Sequence, residues 1–309
     1  MVSPSSHWQT WIARQARPRQ RASDPPLRAE LFSVEQLSRH AKALAAVHRA
    51  AIQRGSNRLL GRLGKNEQGL RAFNRATLAV DPSRRITPAA EWLLDNFYLI
   101  EEQIQMARRH LPRGYSRELP RLLDGPSAGL PRVYDVVLEL IAHVDAQIDA
   151  PPLSAFIAAY QTVNYLKLGD LWAIPIMLRL GLIENLQRIT ARLTLARQDR
   201  DTADMWVDRL QEMAEKSPSL LVTVVADIAK SDLPLTSSFV AEFSRRLARQ
   251  SPVLHLARSW LEQRLAEEGL SVEQLVQQDS QNQAADQVSV SHSISSLRFL
   301  SAKIGRAHV

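Results

Sequence analysis

The sequence predicts an all-α protein: an irregular array or bundle of about ten or eleven helices, with disordered tails at both ends. Three observations predict it. Ala, Leu, Arg, Gln and Glu dominate, and these residues lose little freedom in a helix. Gly is scarce, with 11 in 309 residues, and aromatics are 6%, which is too few for the turns and strands of a sandwich or barrel. Helix-start signals recur along the chain, and the apolar residues between them keep a 3.6-residue spacing.

Residues 1–30 read as a disordered basic tail, with Arg14, Arg17, Arg19, Arg21 and Arg28 set among Ser and Pro. Ser33-Val34-Glu35-Gln36 then forms a capping box, with Phe32 and Leu37 as its hydrophobic staple. Leu37, Ala41, Leu44, Ala45 and Ile52 follow it at helical spacing. Ser271-Val272-Glu273-Gln274 repeats the device, flanked by Leu270 and Leu275. Thr87-Pro88, Ser217-Pro218 and Ser251-Pro252 each pair an N-cap with Pro at the first helical position, where a missing amide costs nothing. The helices expected are 34–54, 57–79, 88–111, 132–149, 153–166, 170–198, 202–216, 218–230, 237–250, 252–268 and 272–283. The stretch 112–131, rich in Pro and Gly, is an irregular connection, and no strand is expected. Pro175 either kinks its helix or delays its start. That helix is apolar almost all round, so it should lie at the centre of the core.

A first helical domain is expected over 31–200 and a second helical segment over 201–283, parted where Gln198-Asp199-Arg200-Asp201 interrupts the apolar pattern. Residues 284–303 read as a linker. Ile304-Gly305-Arg306-Ala307-His308-Val309 reads as a translated sequencing adapter, because ATC GGA AGA GCA CAC GTC encodes it. The natural frame is therefore expected to continue past Lys303.

The absence of Cys excludes disulfide scaffolds, thiolate metal sites and cysteine nucleophiles. The formal charge of +7 is compatible with an anionic surface, but no nucleic-acid motif accompanies it. The longest apolar run, Leu171 to Leu178, is far shorter than the ~20 residues that span a bilayer.

Four groups of residues merit chemical scrutiny. Glu91, Asp95 and Glu102 share a face of helix 88–111, as paired carboxylates for acid–base work or a metal pair would, although ion pairing to Arg108, Arg132 or Arg179 is the simpler reading. His143, Asp145 and Asp149 contain metal-ligand types, but His143 does not share the face of the two Asp. Trp172, Tyr160, Tyr165 and Tyr115 are sugar-stacking types, more often found in a core. Arg84-Arg85, Arg108-Arg109 and Arg245-Arg246 are scattered basic pairs. Gly61-Arg62-Leu63-Gly64 lacks the Lys-Ser/Thr of a phosphate loop. No residue is assigned as catalytic, cofactor-binding or metal-ligating.

The stretch Ile86-Thr87-Pro88-Ala89-Ala90-Glu91-Trp92-Leu93-Leu94-Asp95-Asn96-Phe97-Tyr98-Leu99-Ile100-Glu101-Glu102-Gln103-Ile104 resembles the N-terminal region of bacterial cyclic β-1,2-glucan synthases. Gly129-Leu130-Pro131-Arg132-Val133-Tyr134, Ala142-His143, Leu168-Gly169-Asp170-Leu171-Trp172-Ala173-Ile174-Pro175, Leu182-Ile183-Glu184-Asn185-Leu186 and Ser293-Ile294-Ser295-Ser296-Leu297-Arg298-Phe299-Leu300 extend the resemblance over residues 25–302. The resemblance implies a very large inner-membrane enzyme that uses UDP-glucose to build and cyclise a β-1,2-glucan. This chain would be its non-catalytic cytoplasmic helical region, a scaffold or regulator for membrane-spanning and glycosyltransferase modules that lie outside it. The resemblance carries no catalytic residue onto this chain. The alternative is a free-standing helical adaptor for protein partners.

Overall fold

A computed structural model describes residues 24–52, 58–81, 86–111, 118–231, 233, 235–248 and 254–304. It contains eleven α-helices among them: α1 (Val34–Val47), α2 (Arg58–Leu78), α3 (Pro88–Asp95), α4 (Phe97–His110), α5 (Arg132–His143), α6 (Ala150–Gln161), α7 (Leu168–Lys216), α8 (Leu221–Lys230), α9 (Ser237–Leu247), α10 (His255–Glu267) and α11 (Val272–Ile304). The all-α expectation holds. Both capping boxes form. The Ser33 and Ser271 hydroxyls accept from the amides of Gln36 and Gln274, whose side chains accept from the amides of Ser33 and Ser271 in return. Thr87 and Ser217 make no side-chain cap bond, and Ser217 opens a 3-10 turn, Pro218–Leu220. Ser251-Pro252, Arg84-Arg85, Tyr115, most of the basic tail and most of the suspected adapter lie outside the described residues. Among the described residues no helix is long and apolar enough to cross a membrane.

Two apolar cores share one long helix. The first is built by α1–α6 and the first half of α7, closed by Val290, Ile294, Leu297 and Leu300 of α11. The second gathers Ala203, Trp206, Val207 and Leu210 of α7 around α8–α10 and Leu275. α7 therefore runs unbroken through 199–201, where an interruption was expected. Its polar residues there serve lateral contacts instead. Asp199 accepts from the Thr236 hydroxyl at 2.7 Å, and Arg200 pairs with the buried Asp279 of α11 at 3.5 Å. Pro175 sits inside α7, where it can donate nothing to the carbonyl of Leu171.

Three further expectations change. Residues 284–303, expected as a linker, are helical, because α11 continues through them to Ile304. Residues 27–30, read as the end of a disordered tail, are held against the fold together with the two residues that follow them. Ala29 and Phe32 donate backbone amides to the last carbonyls of α5, Ala142 and His143, at 3.0 and 3.1 Å, filling the role of a C-cap. The helix expected over 88–111 breaks at Asn96, which ends α3 with φ −108° and ψ 12° and turns its side-chain amide onto the Trp92 carbonyl. A two-residue antiparallel ribbon, Ala50–Ala51 (β1) against Arg121–Leu122 (β2), ties the irregular connection to the end of α1.

Candidate functional site

Two buried polar clusters of the first core and one at its edge bring together groups with chemical potential. In the largest, the Glu184 carboxylate of α7 accepts from Arg62 Nη2 (2.5 Å) and Nε (3.1 Å), Arg188 Nη2 (2.6 Å) and Tyr134 Oη (2.6 Å). Burial alone would raise its pKa. The donors from Arg62, Tyr134 and Arg188 outweigh burial and hold the carboxyl below its ordinary value. Burial, followed by the neighbouring Glu184 anion, pushes the Tyr134 phenol well up, so it stays a donor.

The second cluster joins the end of α1 to the start of α7. Asn164 donates to the terminal carbonyls of Ala45 and His48 and accepts from Arg132 Nη1 at 2.7 Å. Arg132 Nη2 pairs with Asp170 at 2.8 Å, and Asp170 also accepts from the Lys167 amide, fixing the first turn of α7. Beside it, His48 bridges Tyr160 Oη (2.8 Å) and Asp135 (3.1 Å). The Asp–His–Tyr order looks like a proton relay. However, Tyr160 is fully buried, and burial drives its phenol to about 12, so no substrate reaches it and it is no nucleophile at neutral pH.

The third cluster is open on one side. His40 of α1 meets Glu139 and His143 of α5, one helical turn apart, so that the three ligating atoms lie within 4.8 Å of one another. His40 Nε2 is 3.0 Å from Glu139 Oε2, and His143 Nε2 is 3.7 Å from it. His143 Nδ1 bonds the Glu30 carbonyl at 2.7 Å, and Phe32 stacks on the His143 ring at 3.9 Å.

The sequence-nominated groups are placed differently. Glu91, Asp95 and Glu102 are exposed and lie on either side of the Asn96 break, so they form no apolar carboxylate pair. Arg132 and Arg179 do not pair with them. Arg179 is buried with Gln103 as its side-chain partner at 2.8 Å, and Arg108 binds Glu67. Burial lowers the Arg179 pKa, opposed only by the charge of Glu102. His143, Asp145 and Asp149 diverge: Asp145 turns to Arg28 (3.3 Å) and His292, and Asp149 faces solvent. Tyr160 belongs to the core, whereas Trp172 and Tyr165 are 71% and 73% exposed. Arg245 and Arg246 are engaged by Glu242, Asp204 and Asp208. His40 was not among the candidates. Glu139 and His143 at i, i+4 were legible as neighbours, but nothing local to them points to a residue 99 positions away.

A recess of about 180 Å³ beside Trp260 and Arg264 in the second core is smaller than the ~300–1,000 Å³ of typical small-molecule pockets. No protein-family model matches the chain. The chain is 30% identical over 299 residues to the cyclic β-(1,2)-glucan synthase NdvB of Rhizobium meliloti (strain 1021). The match takes in 94% of this chain and 10% of that protein, so the chain spans about a tenth of the length of this relative.

Proposed function

We propose that the chain is the helical region of a cyclic β-1,2-glucan synthase, and that it scaffolds or regulates the catalytic modules of the same polypeptide. On this reading the parent enzyme takes UDP-glucose as donor and sits in the bacterial inner membrane. The present region lies on the cytoplasmic face, against the membrane-spanning and glycosyltransferase modules and the anionic membrane surface.

The observation that carries this reading is an identity of 30% sustained along nearly the whole chain. The internal chemistry supports it. The segments that carry the resemblance supply Arg132, Tyr134, His143, Asp170, Glu184, Asn185, Ser293 and Ser296, and each is a partner in a buried or part-buried hydrogen bond or ion pair. Residues so used hold helices in register, which is what a scaffold requires. A free-standing adaptor is favoured by one observation, the exposed Leu168 and Trp172 at i, i+4 with Tyr165 just before them.

A chimera tests the proposal. The corresponding region of the Rhizobium meliloti enzyme is replaced by residues 24–304 of this chain, and membranes are assayed with UDP-glucose for cyclic β-1,2-glucan. The expected result is synthesis well above that of the enzyme with the region deleted. Synthesis no greater than in the deletion would refute the scaffold reading. Sequencing the gene provides a second check, because the proposal expects membrane spans and a glycosyltransferase module in the same reading frame.

A further inference from the structure

We infer that His40, Glu139 and His143 bind a divalent transition-metal ion of the Zn2+ class, which clasps α1 to α5 beside Phe32. Two imidazoles and one carboxylate are the donor set such an ion takes with three protein ligands and one water. The separations suit it. Ligand atoms bonded at about 2.0–2.1 Å around a tetrahedral ion stand about 3.3 Å apart. Here His40 Nε2 and His143 Nε2 stand 3.0 and 3.7 Å from the same oxygen of Glu139.

The proton arrangement argues for a cation more strongly than the distances do. A backbone carbonyl only accepts, so the 2.7 Å contact with Glu30 puts the ring hydrogen of neutral His143 on Nδ1. Its Nε2 is then an unprotonated acceptor 3.7 Å from a carboxylate oxygen, acceptor beside acceptor. A metal ion satisfies both. The Glu30 carbonyl and the stacked Phe32 ring fix the orientation of the ligand, as the supporting shell of a metal site does. Glu139 is the most exposed of the three and His143 the least, so an ion has a path in from the Glu139 side.

The competing occupant is a proton on His143, and the experiment separates the two. The full chain, produced without a histidine tag and stripped by a chelator, is titrated with Zn2+ in a calorimeter. Co2+ is then added and its visible absorption read. The expected result is one saturable Zn2+ per chain, a raised melting temperature with Zn2+, and the intense visible bands of four-coordinate Co2+. His40→Ala and Glu139→Gln should each abolish the saturable event while retaining the helical circular dichroism. Both sites are partly exposed and Gln can still accept from His40, so neither variant depends on the survival of His143. Absence of a saturable event in the wild-type chain, or unchanged Zn2+ binding in both variants, overturns the assignment.

Discussion

Replacing Glu184 by Gln should be among the most damaging isosteric changes in this protein. The carboxylate is 4% exposed and takes four hydrogen bonds, three of them from two arginines. A charge-assisted bond contributes roughly 1.5–3 kcal/mol, and breaking a fully buried pair costs roughly 3–5 kcal/mol. Arg62 is partly exposed and is re-solvated by water, while Arg188 keeps the Pro25 carbonyl at 3.0 Å. The loss should therefore fall lower, at about 2–4 kcal/mol. The assay is urea denaturation of wild type and variant at neutral pH. A midpoint shift worth less than about 1 kcal/mol would show that Glu184 contributes no more than an exposed ion pair. The pH dependence gives an independent reading. The folded pKa of Glu184 lies below its unfolded value, so its contribution is full above the ordinary carboxylate range, about 4.3, and is lost as pH falls through the folded value. The gap between wild type and Glu184→Gln should thus close on acidification. A gap that stays constant or widens would refute the argument.

Ending the chain at Gln283 removes Val290, Ile294, Leu297 and Leu300, all buried. At roughly 1.5–3 kcal/mol per side chain as an upper bound, this rivals the whole stability of a typical domain, so the truncated chain should lose its cooperative thermal transition; a native-like melt would contradict the role given to α11. A methyl at Gly181 meets Ile141 Cδ1 at 2.6 Å and Leu138 Cδ2 at 3.2 Å. Gly181→Ala should therefore destabilise by up to about 2 kcal/mol, overpacking of roughly 1–3 kcal/mol exceeding the propensity gain of about 1 kcal/mol. Adding Ile141→Val should recover part of that loss, and chemical denaturation of both variants measures it. Among the described residues no carboxylate contacts the buried Arg179, so Arg179→Met should be neutral or stabilising; a fall of more than about 2 kcal/mol on denaturation would disprove this.

Local signals proved reliable at the two capping boxes, though not at Thr87 or Ser217. The Ser33 and Ser271 capping boxes read directly, because a cap involves four consecutive residues and needs no partner elsewhere. Helix identity was legible for the same reason. Boundaries were less so. Residues 284–303 read as a linker because Ser recurs at 289, 291, 293, 295 and 296, an alternation that does not follow helical spacing. In the fold Ser289, Ser293 and Ser296 point inward. Ser289 and Ser293 accept from the buried Asn185 at 3.4 and 3.3 Å, and Ser296 both donates to the Ala146 carbonyl and accepts from the Ile148 amide. The partners lie more than 100 residues away, so composition within a window reads them as solvent-exposed.

The candidate site divides in the same way. The i, i+4 pair Glu139 and His143 is written in one helix, whereas His40 and the Glu30 carbonyl arrive only when α1 and its preceding strand of chain dock onto α5. The sequence by itself determined the all-α class, the two capping boxes and a likeness to glucan synthases, because these rest on neighbours along the chain or on residue order. Only the tertiary structure decided that α7 is one helix serving two cores, that the serine-rich end is core, and which histidine meets which carboxylate. Those outcomes depend on which distant groups compensate each other for lost water, and that balance exists only once the helices are packed.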